Sequence, residues 1–228
     1  MIDIQADGVV KTFGRTHALR GVDISVESGE LVGLVGPDGA GKTTLLRCIA
    51  GLYRVDAGRV LPGRAGQQRV GFAQQGFHLY PDLTVMENLE FFSAAYGLRA
   101  AETKASCDEL LRFAGLDDRR STLAGELSGG MKQKLTLVSS LLHRPPVLLL
   151  DEPTTGVDPL SRLDFWHLVE QLHAAGTSIL LASAYADEVE RCERVIYLDS
   201  GRVTAAGTPD ELRGTHHTLE DAFVAMMT

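Results

Sequence analysis

The sequence predicts an α/β fold built on a mostly parallel sheet. Three observations carry this. Short apolar runs alternate with segments of helical spacing along the 228-residue chain. One such run passes directly into a glycine-rich turn and then a helix, the strand-to-helix step of parallel sheets. A hydrophobic fraction of 44% and a mean hydropathy of +0.01 suit one soluble globular domain with a core of its own.

The elements follow in order. Ile2–Phe13 and Val22–Val26 read as antiparallel strands separated by turn residues. Leu31-Val32-Gly33-Leu34-Val35 reads as a buried strand, followed by the glycine-rich turn and a helix starting near Lys42. The middle, about 76–144, is helical, with Leu89–Tyr96, Glu102–Ala114 and Met131–His143 as candidates. It reads as an insertion into a core of about 1–75 and 145–228, because strands resume after it: Val147–Leu150, Thr177–Leu181 and Val195–Leu198. Between the first two of these, Leu160, Leu163, Leu168 and Leu172 recur at roughly helical spacing, and Phe165 and Trp166 read as packing groups. Thr208-Pro209-Asp210-Glu211 and Thr218-Leu219-Glu220-Asp221 have the spacing of helix starts capped by a threonine.

Charge and cysteine usage exclude several classes. A formal net charge of -8 and a pI near 5.3, without any Lys/Arg-rich run, argue against nucleic acid as a partner. Cys48, Cys107 and Cys192 lie far apart with no CxxC pair, as expected of reduced cytosolic thiols. His143, His167, His173, His216 and His217 form no metal-ligand pattern. The start, Met1-Ile2-Asp3-Ile4-Gln5-Ala6-Asp7, is too acidic for a signal peptide, and no apolar stretch approaches the ~20 residues of a membrane helix. Membrane contact is therefore expected only through a partner.

Three motifs carry chemistry. Gly36-Pro37-Asp38-Gly39-Ala40-Gly41-Lys42-Thr43, continued by Thr44, fits the phosphate-binding pattern GxxxxGK[ST]. A triphosphate packs several negative charges into little volume, so many backbone N–H groups must point inward, and Gly39 and Gly41 permit that curvature. The following helix adds its positive end. Lys42 is expected to reach the β/γ-phosphates and Thr43 to hold Mg²⁺. Val147–Leu150 ends in Asp151-Glu152: Asp151 can reach the magnesium shell, and Glu152 can orient or deprotonate the attacking water. An acidic pair after a strand is weak evidence alone and takes its value from the phosphate loop upstream. Leu127-Ser128-Gly129-Gly130-Met131 is a second helix start with exposed N–H groups and a serine hydroxyl.

The last segment resembles the LSGGQ signature of ABC ATPases, with Met131 in place of the usual Gln. The resemblance covers nearly the whole chain and implies a P-loop NTPase (RecA-like) core with an antiparallel β subdomain and a helical subdomain. It implies ATP and Mg²⁺ as ligands, and a sandwich of two domains in which Ser128, Gly129 and Gly130 face the partner's γ-phosphate. Gln75 resembles the glutamine that approaches Mg²⁺, with Gln74 as the alternative register. Asp158, in Gly156-Val157-Asp158, resembles the loop that crosses the dimer. Phe13 occupies the aromatic position that stacks on adenine, with strand packing as its alternative.

Leu79–Leu89, Tyr96-Gly97-Leu98, Pro153–Pro159 and Thr218–Phe223 are similar to ABC-2 type exporters, and Asp38 also occurs in them. This implies ABC-2 permease subunits as partners and a place on the inner face of the cell membrane. Alternatives are a degenerate regulatory half of a tandem ATPase and a soluble ABC ATPase without a transport role. Two departures stand out. The stretch from Gly58 to Gly71 is short for the family, suggesting a trimmed hairpin. Ala184 stands where the family has a histidine that contacts the γ-phosphate, so a weakened site is expected.

Overall fold

The computed structural model describes residues 1–61, 70–76 and 78–226. It contains two sheets. The first is antiparallel, with strand order β2-β1-β4 from β1 (Ile2–Phe13), β2 (Thr16–Glu27) and β4 (Ala57–Leu61). The second has six strands in the order β5-β6-β7-β3-β8-β9, from β3 (Leu31–Val35), β5 (Val70–Ala73), β6 (Val147–Asp151), β7 (Ser178–Ser183), β8 (Arg194–Asp199) and β9 (Arg202–Gly207). All its pairings are parallel except β8 with β9.

The apolar runs are explained by burial on both faces. Leu148, Leu150, Ile179 and Leu181 pack into one core cluster, and Val147, Leu149, Leu180 and Ala182 into another on the opposite face. The first cluster is completed by α2 (Val85–Ala95), α3 (Ala100–Phe113), α4 (Gly129–Leu141) and α5 (Pro159–Ala174). The second is completed by α1 (Lys42–Ile49) and the antiparallel sheet. The β1/β2 pair is longer than expected, because β2 begins at Thr16 rather than Val22. Between β5 and β6, the described residues contribute α2, α3 and α4 and no strand to either sheet. Phe165 and Trp166 are buried packing groups.

Beyond β7 come α6 (Ala186–Val189), α7 (Pro209–Arg213) and α8 (Leu219–Met226). Both expected threonine caps form: Thr208 Oγ1 accepts from Glu211 N at 3.2 Å, and Thr218 Oγ1 from Asp221 N at 3.0 Å. The three cysteines are buried and free, and burial pushes the Cys192 thiol up to about 12. The expected short hairpin between Gly58 and Gly71 falls largely on residues 62–69, outside the described residues.

Candidate functional site

β3 delivers the chain to Gly36, and α1 carries it away after Gly41. A Cβ at Gly36 would fall 1.9 Å from the Leu198 carbonyl oxygen. Gly41 has φ 111°, and a Cβ there would meet the Ala18 carbonyl at 2.6 Å, so only glycine lets the loop lie this close to β8 and β2. Gly41 is also the N-cap of α1 and supplies no side-chain cap, which leaves first-turn N–H groups for a ligand.

The loop borders a cavity of about 390 Å³, lined by Thr16–Ala18, Asp38–Thr44, Gln75 and Glu152. Lys42 is buried, and its ammonium donates to the Gly36 carbonyl at 2.8 Å and to the Pro37 carbonyl at 3.3 Å. It lies 3.5 Å from Glu152 Oε1. On the other oxygen, Glu152 accepts a 2.7 Å hydrogen bond from Gln75 Nε2. It is thus Gln75, of the two candidate glutamines, whose side chain is joined to the acidic pair. Glu152 has φ 47°, a left-handed backbone unusual for a glutamate, and its N–H donates to Ala182 O at 2.9 Å. β6 thereby turns sharply at its end and aims the carboxylate across the cavity.

Thr43 Oγ1 donates to Asp151 Oδ1 at 2.9 Å, and Asp151 Oδ2 is buried with no protein partner. Burial is the main cause holding the Asp151 carboxyl above its ordinary range, with Glu152 raising it further. An unpartnered buried oxygen beside a threonine hydroxyl at a phosphate-binding loop fits a hydrated Mg²⁺. Among the described residues no group of three His, Cys, Asp or Glu side chains could hold a metal.

The other predicted residues lie apart. Ser128 caps α4, accepting from Met131 N at 3.3 Å, and Ser128 and Gly129 are exposed. Leu127 is buried, and Met131 packs against the core. None of the five signature residues Leu127, Ser128, Gly129, Gly130 and Met131 lines the phosphate cavity. Asp158 caps α5 through Ser161 N at 3.0 Å, and hydrogen bonding from the Ser161 side chain first, then from its backbone N–H, holds the Asp158 carboxyl below the ordinary range. Phe13 is half exposed at the end of β1, edge-on to Tyr53 at 5.4 Å, and lies outside the cavity lining. Ala184 is exposed and lines a separate cavity of about 290 Å³ with Gly36, Pro37 and Tyr185. Sequence reasoning missed Thr16–Ala18, which reach the site only because β2 starts early, and it missed a buried cluster around Glu188.

A phosphate-cradling loop, an open helix start behind it and a paired acidic strand end define a nucleoside-triphosphate-binding α/β protein. The chain belongs to the ABC transporter family, whose family model matches residues 19–155. It is an ABC-type ATPase. It is 43% identical over 213 residues to the Nod factor export ATP-binding protein I of Burkholderia orbicola (strain AU 1054), covering 90% of this chain and 70% of that one. It is 37% identical over 218 residues to the linearmycin resistance ATP-binding protein LnrL of Bacillus subtilis (strain 168), covering 92% and 70%. Among solved structures, an ATP-binding subunit of an ABC transporter superposes with a TM-score of 0.86 at 30% identity over 99% of each chain. The dimeric post-hydrolysis cassette MJ0796, bound to ADP and Pi, gives 0.79 at 27%, covering 90% of this chain and 98% of that one. Position 184 falls outside the family match.

Proposed function

We propose that this chain is the ATP-hydrolysing motor of an ABC-2 type membrane exporter and works as a nucleotide-sandwich dimer. The observation that carries the exporter reading is the 43% and 37% identity to the Nod factor export and linearmycin resistance proteins. The dimer reading is carried by the exposed Ser128-Gly129 helix start, which lies away from its own phosphate cavity. Lys42 and the loop N–H groups bind the phosphates, Thr43, Gln75 and Asp151 hold the magnesium shell, and Glu152 orients the attacking water. Ser128, Gly129 and Gly130 serve the partner's ATP, and Asp158 lies at the crossing. Phe13 provides an aromatic face for the adenine. Thr43, Gln75 and Asp151 would hold Mg²⁺, which when bound would neutralise phosphate charge. Among the described residues no helix is long and apolar enough to cross a membrane, so a permease provides the membrane path and the helices of 76–144 pass motion to it.

The test is assembly. The Glu152→Gln chain should form a stable dimer in Mg-ATP, alone or with a second nucleotide-binding domain, and should co-purify with an ABC-2 type permease. Monomer alone in sizing experiments, with every such partner supplied, would overturn the sandwich. A second reading is favoured by one observation: Ala184, beside Gly36 and Pro37, has no side-chain donor. In that reading this chain's own site is weak, and it pairs with a catalytically stronger domain.

A further inference from the structure

Glu188 lies on α6, outside every motif described above, yet it is only 1% exposed. Its Oε1 accepts from Thr154 Oγ1 and, at 2.7 Å, from Arg162 Nε. Its Oε2 accepts from Ser183 Oγ at 2.5 Å, and that hydroxyl in turn accepts from Tyr185 N at 3.0 Å. Arg162 is held further by both oxygens of Asp187 at 2.8 Å and lies over the Tyr185 ring.

A buried ion pair is a poor way to gain stability, since desolvation offsets most of the attraction. What such a pair fixes well is register, and here three segments meet at one carboxylate. Thr154 lies in the turn that follows Glu152, closed by Thr155 N to Glu152 O at 3.3 Å and Val157 N to Thr154 O at 3.2 Å. Ser183 ends β7, immediately before Ala184 beside the phosphate loop. Arg162 is in the first turn of α5, which Asp158 caps. The backbone of Glu152 itself is tied to β7 through Ala182 O.

We propose that Glu188 is a positioning residue for ATP hydrolysis: its buried carboxylate locks the 152–157 turn to the 183–185 segment and so fixes where the Glu152 carboxylate points. The inference rests on the reading of Glu152 as the group that orients water. Displacing a catalytic carboxylate by even 1 Å can cost on the order of 10²-fold in rate without loss of binding.

The experiment compares Glu188→Gln, Thr154→Val and Glu152→Gln with the parent chain in Mg-ATP. It measures single-turnover hydrolysis at saturating protein, ATP affinity and thermal melting. Both Glu188→Gln and Thr154→Val should slow hydrolysis about 10- to 100-fold while ATP affinity stays within about twofold. Thr154→Val keeps the Glu188–Arg162 pair and decides the matter if Glu188→Gln does not fold. Hydrolysis at the parent rate in both variants, or in Thr154→Val alone where Glu188→Gln is unfolded, would overturn the proposal, as would a lower melting temperature with an unchanged rate. Parental hydrolysis by Glu152→Gln would instead remove the reading of Glu152 on which the proposal rests.

Discussion

Thr43 Oγ1 donates to Asp151 Oδ1 at 2.9 Å, joining the first turn of α1 to the end of β6, while the second Asp151 oxygen is buried and unpartnered. The carboxylate is held at a cost, chiefly from burial, which raises its pKa. An acid with a higher pKa in the folded chain holds its proton to higher pH there. The folded state is therefore penalised as pH rises through the folded value, and the penalty is absent below the ordinary aspartate value of 3.8. Asp151→Asn should thus raise the melting temperature of the nucleotide-free chain at neutral pH, with the difference shrinking as pH falls toward 4. The same variant should lose the extra stabilisation that Mg²⁺ adds to ATP. A nucleotide-free melting temperature at pH 7 below the parent's would contradict this account.

Lys42 is buried among the carbonyls of Gly36 and Pro37, with Glu152 Oε1 at 3.5 Å. Lys42→Ala should reduce Mg-ATP affinity severely, because the loop loses its buried cation. The fold should survive, since α1 packs through Leu45, Leu46 and Ile49 and not through Lys42. Titration with ATP beside a thermal melt tests this, and unchanged affinity would refute the phosphate-loop assignment.

Gly130 packs against Ser161 at the start of α5: a Cβ on Gly130 would fall 2.4 Å from Ser161 Cβ. Ser161 cannot retreat easily, because its N–H is bonded to the Asp158 cap. Gly130→Ala should therefore push the signature helix off α5, lower stability by about 1–3 kcal/mol and impair dimerisation, with ATP binding retained. Ser161→Gly in the same chain should restore much of the loss. A single Gly130→Ala variant with parental melting and dimer formation would show that the contact is tolerant.

The strands buried on both faces were legible because each is a run of consecutive apolar residues, Val147–Leu150 above all. β9 was not: its residues are alternately exposed and half-buried and include Thr204, Ala205 and Gly207. β5 has four residues and was visible only as the approach to Gln75. The phosphate loop, signature and acidic pair were legible because each is contiguous. Gln75 was already preferred to Gln74 on the resemblance; its hydrogen bond to Glu152 was not legible, because it depends on the turn after β5 that directs the side chain there. The cluster of Thr154, Arg162, Ser183 and Glu188 left no contiguous pattern, since these residues meet only once β6, α5 and β7 are packed.

Ala184 carries the last prediction. A methyl group cannot donate a hydrogen bond to the γ-phosphate, and its neighbours are committed elsewhere. Ser183 is buried and donates to Glu188, and the Tyr185 ring lies under Arg162. The cavity of about 290 Å³ that Ala184 shares with Gly36 and Pro37 has room for an imidazole. Losing one transition-state donor costs about 10²–10³-fold in rate by analogy with oxyanion-hole deletions. Ala184→His should accordingly raise hydrolysis at this chain's own phosphate loop, with little change in ATP affinity, because the added contact matters most as the γ-phosphate departs. The signature is unaffected, so a partner's site completed by Ser128 and Gly129 should turn over at its former rate. If the parent chain already hydrolyses ATP as fast as Ala184→His, the site is not weakened and another group holds the γ-phosphate.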